Sequence, residues 1–337
     1  MTRTYSESGF SIIELLVATA VLLIVSSIVT SALIQMTQSQ TTIWNRTEMH
    51  SGIRGATELL QQEVGQAGRI TLPGTVTLAA PVNATASCDP EFPLAGAQTV
   101  GVNTSIVGGN AVDGMWATAG PPASYINLTT LDGDSQESFR VGAINAGATP
   151  PTISACFIKA HAINTVLVAM GGFATGIIPN TGIINPSTAT VLKLYGDING
   201  DGKIVYVEYT CDVAQNKLFR NVMPYDTPIA NKPALDDSRI LLNNVVANPG
   251  NPPADCFTYQ VVTLTVQGTP FTFVLDVAIM LTVQTQQVDP VTKQYQKETK
   301  ALLNVSPRNV FNAWALASIG YTDRIQSTPV SITTLLP

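Results

Sequence analysis

Charge is scarce in this chain, and along one stretch it is missing altogether. Only 12% of the 337 residues are Asp, Glu, Lys or Arg, and none falls between Glu14 and Arg46. Acidic residues outnumber basic ones, 23 to 17. That balance excludes the basic footprint of a protein that grips DNA or RNA through phosphates. Histidine is rarer still, with His50 on a predicted helix and His161 in a strand-rich region. Two isolated histidines, no HExxH, no GxSxG and no nucleophile set beside a base give no grounds to expect an enzyme. Gly202-Lys203 is followed by Ile204, and Asp197 stands where a P-loop needs its first glycine, so phosphate binding fails too. No CxxC pair occurs among the four cysteines, and no proline occurs from Met1 to Leu72.

The proline-free segment begins with a run from Leu15 to Ile34 that carries no charge and is long enough to cross a bilayer as a helix. Glu14 sits at its edge, where a carboxylate costs up to about 2.5–3.5 kcal/mol as it nears the membrane centre. A secretory signal peptide cut near Ser31-Ala32, or an uncut signal anchor, leaves that glutamate unexplained. Both also expect positive charge close to the run, and Arg3 is the only basic residue before it.

The stretch Gly9-Phe10-Ser11-Ile12-Ile13-Glu14-Leu15-Leu16 closely resembles the processing site of type IV prepilins. The resemblance implies a leader over residues 1–9, cleavage between Gly9 and Phe10 by a prepilin peptidase, and N-methylation of Phe10. Glu14 then becomes an assembly residue. Its carboxylate pairs with the new ammonium of a neighbouring subunit, and two charges that are each costly in lipid become tolerable together. Ser8, where the family more often has Lys or Arg before the glycine, is a departure.

Past Gln35 the pattern turns amphipathic. Ile53, Ala56, Leu60, Val64 and Ala67 share a face at helical spacing, and Arg54 and Glu58 stand four apart. A helix from about Ser11 to Ala67 is expected, roughly 85 Å long at 1.5 Å per residue. Residues 10–35 form its membrane or filament-core segment and 36–72 its amphipathic half. Gly52, Gly55, Gly65 and Gly68 predict a kink or local melting there.

From residue 73 to 337 short strand-like runs lie between Gly, Pro, Asn and Asp clusters. The clearest are 257–266, 271–283 and 295–305, with Gly268-Thr269-Pro270 and Asp289-Pro290 read as turns. Residues 74–188, weakly periodic, are read as a decorated part of one β domain. The resemblance implies an α+β, pilin-like architecture in which the long helix packs on an antiparallel head with loop insertions. The closing "KETKALLNVSPRNVF", with Arg308-Asn309, is similar to PilW-like minor pilins and J-type pseudopilins of type II secretion. Four cysteines in an exported head allow three pairings. Sequence neighbours, Cys88 with Cys156 and Cys211 with Cys256, are the expected pairs, against buried free thiols as the alternative.

One further motif carries chemistry. "DINGDGKIVYVE", residues 197–208, fits the twelve-residue calcium-loop pattern. Asp197, Asn199, Asp201, the Lys203 carbonyl and Glu208 are the expected donors, and Gly202 provides the turn. All are hard oxygens, which favours calcium over zinc or copper. The flanks read as strands, so Glu208 can point away and Asp212 or a backbone carbonyl can take its place. A bare Asn/Gly/Asp turn is the competing reading.

Together these expectations describe a minor pilin. It is a single-pass inner-membrane protein with its head in the periplasm, then a filament subunit at the cell surface. Its implied partners are the prepilin peptidase, other minor pilins, the major pilin and the inner-membrane assembly platform. A type II secretion pseudopilin and a membrane-anchored, calcium-dependent adhesin are the alternatives.

Overall fold

The computed structural model describes residues 9–88, 96–104, 126–145, 147–225, 227–266, 268–329 and 331–332; the expected leader, apart from Gly9, lies outside them. The chain divides into two compact units, Met1–Gly52 with Gln284–Glu298, and Ile53–Val283 with Thr299–Pro337.

A proline-free, Leu-, Ile- and Ala-rich segment forms one continuous helix, α1 (Ile12–Gln66). The helix does not melt at the glycines of its second half: Gly52, Gly55 and Gly65 all lie within it. A Cβ added at Gly55 or Gly65 would touch nothing within 4 Å, so these glycines weaken the helix without interrupting it. In the first unit, Arg46 donates to Gln296 and His50 pairs with Glu298, which ties α1 to the 284–298 segment by polar contacts. In the second unit, Ile53, Leu60, Val64 and Ala67 are at most 1% exposed. The predicted apolar stripe is therefore the core face, and Arg54 Nε donates to Glu58 Oε1 at 2.7 Å across one exposed turn.

The helix ends at Gly68, whose φ of +76° no side chain adopts easily. Its N–H donates to the Tyr195 carbonyl at 2.9 Å. Asn309 Nδ2 donates to the carbonyls of Gln66 and Ala67 at 3.2 and 3.4 Å, joining the Arg69 N–H, which donates to Gln66 at 3.1 Å, in capping the helix end.

Among the described residues the strands of the second unit pair antiparallel, apart from one short parallel pair. The region read as weakly periodic contains a closed six-stranded barrel, ordered β1-β2-β5-β4-β3-β6. Its strands are β1 (Val76–Leu78), β2 (Gln98–Thr104), β3 (Asn127–Leu131), β4 (Ser138–Asn145), β5 (Thr152–Ala155) and β6 (Val166–Ala169). Leu78, Val102, Leu128 and Val141 are fully buried in a core that continues through Tyr195 and Tyr206. After β7 (Gly172–Phe173) comes a second sheet, ordered β11-β10-β9-β8, from β8 (Val191–Gly196), β9 (Val205–Asp212), β10 (Lys217–Pro224) and β11 (Ile240–Asn243).

The third sheet is built on the 16-residue β14 (Thr269–Gln284), with β12 (Val245–Val246), β13 (Phe257–Val266) and β15 (Lys297–Val305) paired to it. The expected turn at 268–270 is tighter: Thr269 and Pro270 already pair with Val266 and Thr265. After β15 comes a second helix that the strand-like pattern did not predict, α2 (Arg308–Ser318), which buries Val310, Ala313 and Ala317. Last comes β16 (Ile325–Gln326), paired in parallel with β7. Disulfides join Cys88 to Cys156 and Cys211 to Cys256, the sequence-neighbour pairing.

Candidate functional site

Ser11 is the residue from which α1 starts. Its carbonyl accepts the Leu15 N–H at 3.1 Å, its hydroxyl faces the Ile13 N–H at 3.4 Å, and its own N–H donates to Glu14 Oε2 at 3.1 Å. Ser-x-x-Glu is thus a reciprocal cap on the first turn. Gly9 and Phe10 lie before the helix, so the predicted scissile peptide is not locked into helical hydrogen bonds. The following apolar residues are exposed on every side, from Phe10 at 88% and Ile12 at 84% to Leu33 at 58%. A helix segment apolar all round and left uncovered by the described residues suits lipid or other helices, not water. Among the described residues α1 is the one helix long and apolar enough to cross a membrane. Glu14 is the only charge in its apolar half.

The predicted calcium loop forms the connection between β8 and β9, flanked by strands. Asp197 is fully buried at its start. Its Oδ1 accepts the Asp201 N–H at 3.0 Å, and Asp201 Oδ1 accepts the Lys203 N–H at 3.0 Å. Gly202 is required twice over. Its φ is +78°, and a Cβ there would lie 2.3 Å from the Pro73 Cα. Asn199, Asp201 and Lys203 are exposed on the turn.

The structure does not bring Glu208 to them. It sits four positions into β9, opposite Lys193, where Oε2 accepts from the Tyr206 hydroxyl at 3.0 Å and from Lys232 Nζ at 2.9 Å. Asp197 Oδ2 is also engaged, accepting from the Thr71 hydroxyl with Arg69 Nε at 3.9 Å. In this conformation the donors do not make a complete calcium shell, and Arg69 supplies the counter-charge. Among the described residues no group of three or more His, Cys, Asp or Glu side chains converges as a metal site.

Two buried charged groups escaped the sequence reading. Glu63 lies within the apolar stripe of α1, where its carboxylate accepts from Tyr209 and Arg220. The visible signal was a charge at a core position beside Val64. Lys193 on β8 is only 7% exposed. His161, isolated in the sequence, is held between Asp132 at 2.5 Å and Glu137 at 2.6 Å, with its ring fully enclosed.

Residues 5–30 match the family model described as the prokaryotic N-terminal methylation motif. No curated protein and no solved structure matches the chain. Together with the uncovered apolar helix that begins at Ile12 and carries Glu14 in its first turn, the match supports a type IV pilin-like or pseudopilin protein, anchored through its N-terminal helix.

Proposed function

We propose that the chain is a PilW-like minor pilin of a bacterial type IV pilus. A prepilin peptidase would cleave it between Gly9 and Phe10, Phe10 would be N-methylated, and the inner-membrane platform would add it to the filament with the major and other minor pilins. The size of the β-rich head favours a low-copy place at the tip or in initiation over a place along the shaft. The observation that carries the reading is the methylation-motif match over 5–30 on a helix whose apolar half has Glu14 as its single charge.

Glu14→Ala should still give a membrane-anchored protein, but one absent from sheared filaments. An isolated ammonium left in the apolar filament core costs several kcal/mol. Intact-mass spectrometry of sheared filaments and membranes decides the rest. Wild-type chain beginning at methylated Phe10 in the sheared fraction supports the pilin. The same species in membranes alone moves the assignment to a secretion pseudopilin. A chain beginning at Met1, or cut after the apolar run, overturns both and leaves the anchored adhesin.

We also propose that the 197–203 turn takes calcium weakly. Asp197, Asn199, Asp201 and the Lys203 carbonyl would be the protein donors, with water in place of Glu208. The Asp197–Asp201 hydrogen bond already wraps the turn. Millimolar calcium against chelator should raise the melting temperature of the full chain by a few degrees, and magnesium should not. An unchanged melting curve means that Arg69 alone neutralises Asp197.

A further inference from the structure

Three adjacent strands place a lysine, a glutamate and an asparagine in one row. Lys193 on β8 faces Glu208 on β9, and Glu208 faces Asn221 on β10. Directly opposed residues share a face of the sheet, and this face is covered: Glu208 is 7% exposed and Asn221 not at all. The loop after β10 closes over it. Lys232 Nζ donates to Glu208 Oε2 at 2.9 Å, and the next carbonyl, that of Pro233, accepts from Asn221 Nδ2 at 2.7 Å. One atom is left over. Asn221 Oδ1 is buried with no hydrogen-bond partner among the described residues, a costly state that needs a reason.

We propose that Lys232 and Asn221 become joined by an amide bond, with Glu208 as the catalytic base and acid. Glu208 takes a proton from the Lys232 ammonium, and the freed amine attacks Asn221 Cγ. As negative charge grows on Oδ1, the protonated Glu208 on the neighbouring strand donates to the oxygen that had no donor. Collapse breaks the Cγ–Nδ2 bond while Nζ–Cγ remains. The nitrogen leaves as an ammonium ion carrying lysine's charge, and Glu208 returns to its carboxylate. Nothing is oxidised or reduced, and no co-reactant is needed.

Lys193 is not the nucleophile. Two strand spacings, roughly 9.6 Å, separate its backbone from that of Asn221, further than its side chain can bridge to form a bond. Its Nζ donates to the Asn185 carbonyl at 3.1 Å, and burial holds its ammonium below lysine's usual range while Glu208 opposes the shift. Buried Tyr206, Phe219 and Met223 keep water from the row. The bond would close residues 221–232 into a covalent ring and fasten the cover of the second sheet. The inference stands apart from the filament assignment.

Intact-mass spectrometry of the full chain with its disulfides reduced tests it. The wild type should be lighter by one ammonia, about 17 Da, than its composition requires, and digestion should give a branched peptide linking the two residues. Lys232→Arg keeps the cation and the Glu208 pair, and should restore the full mass, as should Glu208→Gln. Asn221→Asp should instead lose water, about 18 Da, because the leaving group has changed. A wild type of full mass overturns the proposal. So does a deficit that survives in Lys232→Arg, since that marks an imide formed by Asn221 with its own backbone.

Discussion

Glu63→Ala should lower the stability of the full chain by roughly 3 kcal/mol, the smaller end of what breaking a buried ion pair costs. The smaller end applies because Arg220 keeps 28% of its side chain exposed and can recover some hydration, whereas Glu63 has only 6%. The substitution strands two groups at once: Arg220, whose Nε and Nη2 both donate to the carboxylate, and the Tyr209 hydroxyl. The expected fall in melting temperature is roughly 6–12 °C. Tyr209→Phe removes one donor and leaves the ion pair, so it should cost only about 1 kcal/mol. Glu63→Ala and Arg220→Ala combined should cost clearly less than their sum. Additive losses would mean that the two residues act separately, contrary to the contacts described.

The second large effect is alkaline unfolding. Burial raises Tyr195, Tyr206 and Tyr209, all fully buried, well above the usual tyrosine range, and the carboxylates of Glu208 and Glu63 add to the shift at Tyr206 and Tyr209. An unfolded tyrosine loses its proton near pH 10. Above that pH the unfolded chain binds fewer protons than the folded one, so stability present below pH 10 is lost as pH rises. Each such tyrosine contributes about 1.4 kcal/mol per pH unit, so three remove about 4 kcal/mol per unit. Against a typical total of about 5–15 kcal/mol, the fold should give way about one to four units above pH 10. Circular dichroism and tyrosinate absorbance followed together give the check. The three phenolates should appear in the same cooperative step that removes the ellipticity. Phenolates formed while the sheets remain intact would show that these side chains are not buried as described.

What could be read in the sequence was governed by period and length. The Ile53, Leu60, Val64 stripe and the 257–266 strand were visible because a single period persists over ten residues or more. The barrel was not, because its strands run from three to eight residues and it closes through pairs such as β1 with β6, about ninety residues apart. No local window holds that information. The second helix had a signal in the apolar spacing of Val310, Ala313 and Ala317, but it is short and follows almost directly on β15, so strand and helix periods run together there. Glu208 stands away from the turn, as its strand-like flanks allowed, for a geometric reason. The twelve-residue spacing belongs to loops in which a helix carries the last donor, whereas a strand advances about 3.3 Å per residue and moves that donor away from the turn. Lys232 reaches Glu208, and Pro233 reaches Asn221, only because a loop folds back over the sheet.

The contact between Asn309 and the last carbonyls of α1 links residues 243 and 242 positions apart. The end of α1 and the start of α2 are therefore fastened to each other directly, with Val310 set against the Gly68 turn. A load carried along the second half of α1 passes into α2 at this point without first running through the strands that separate the two in sequence.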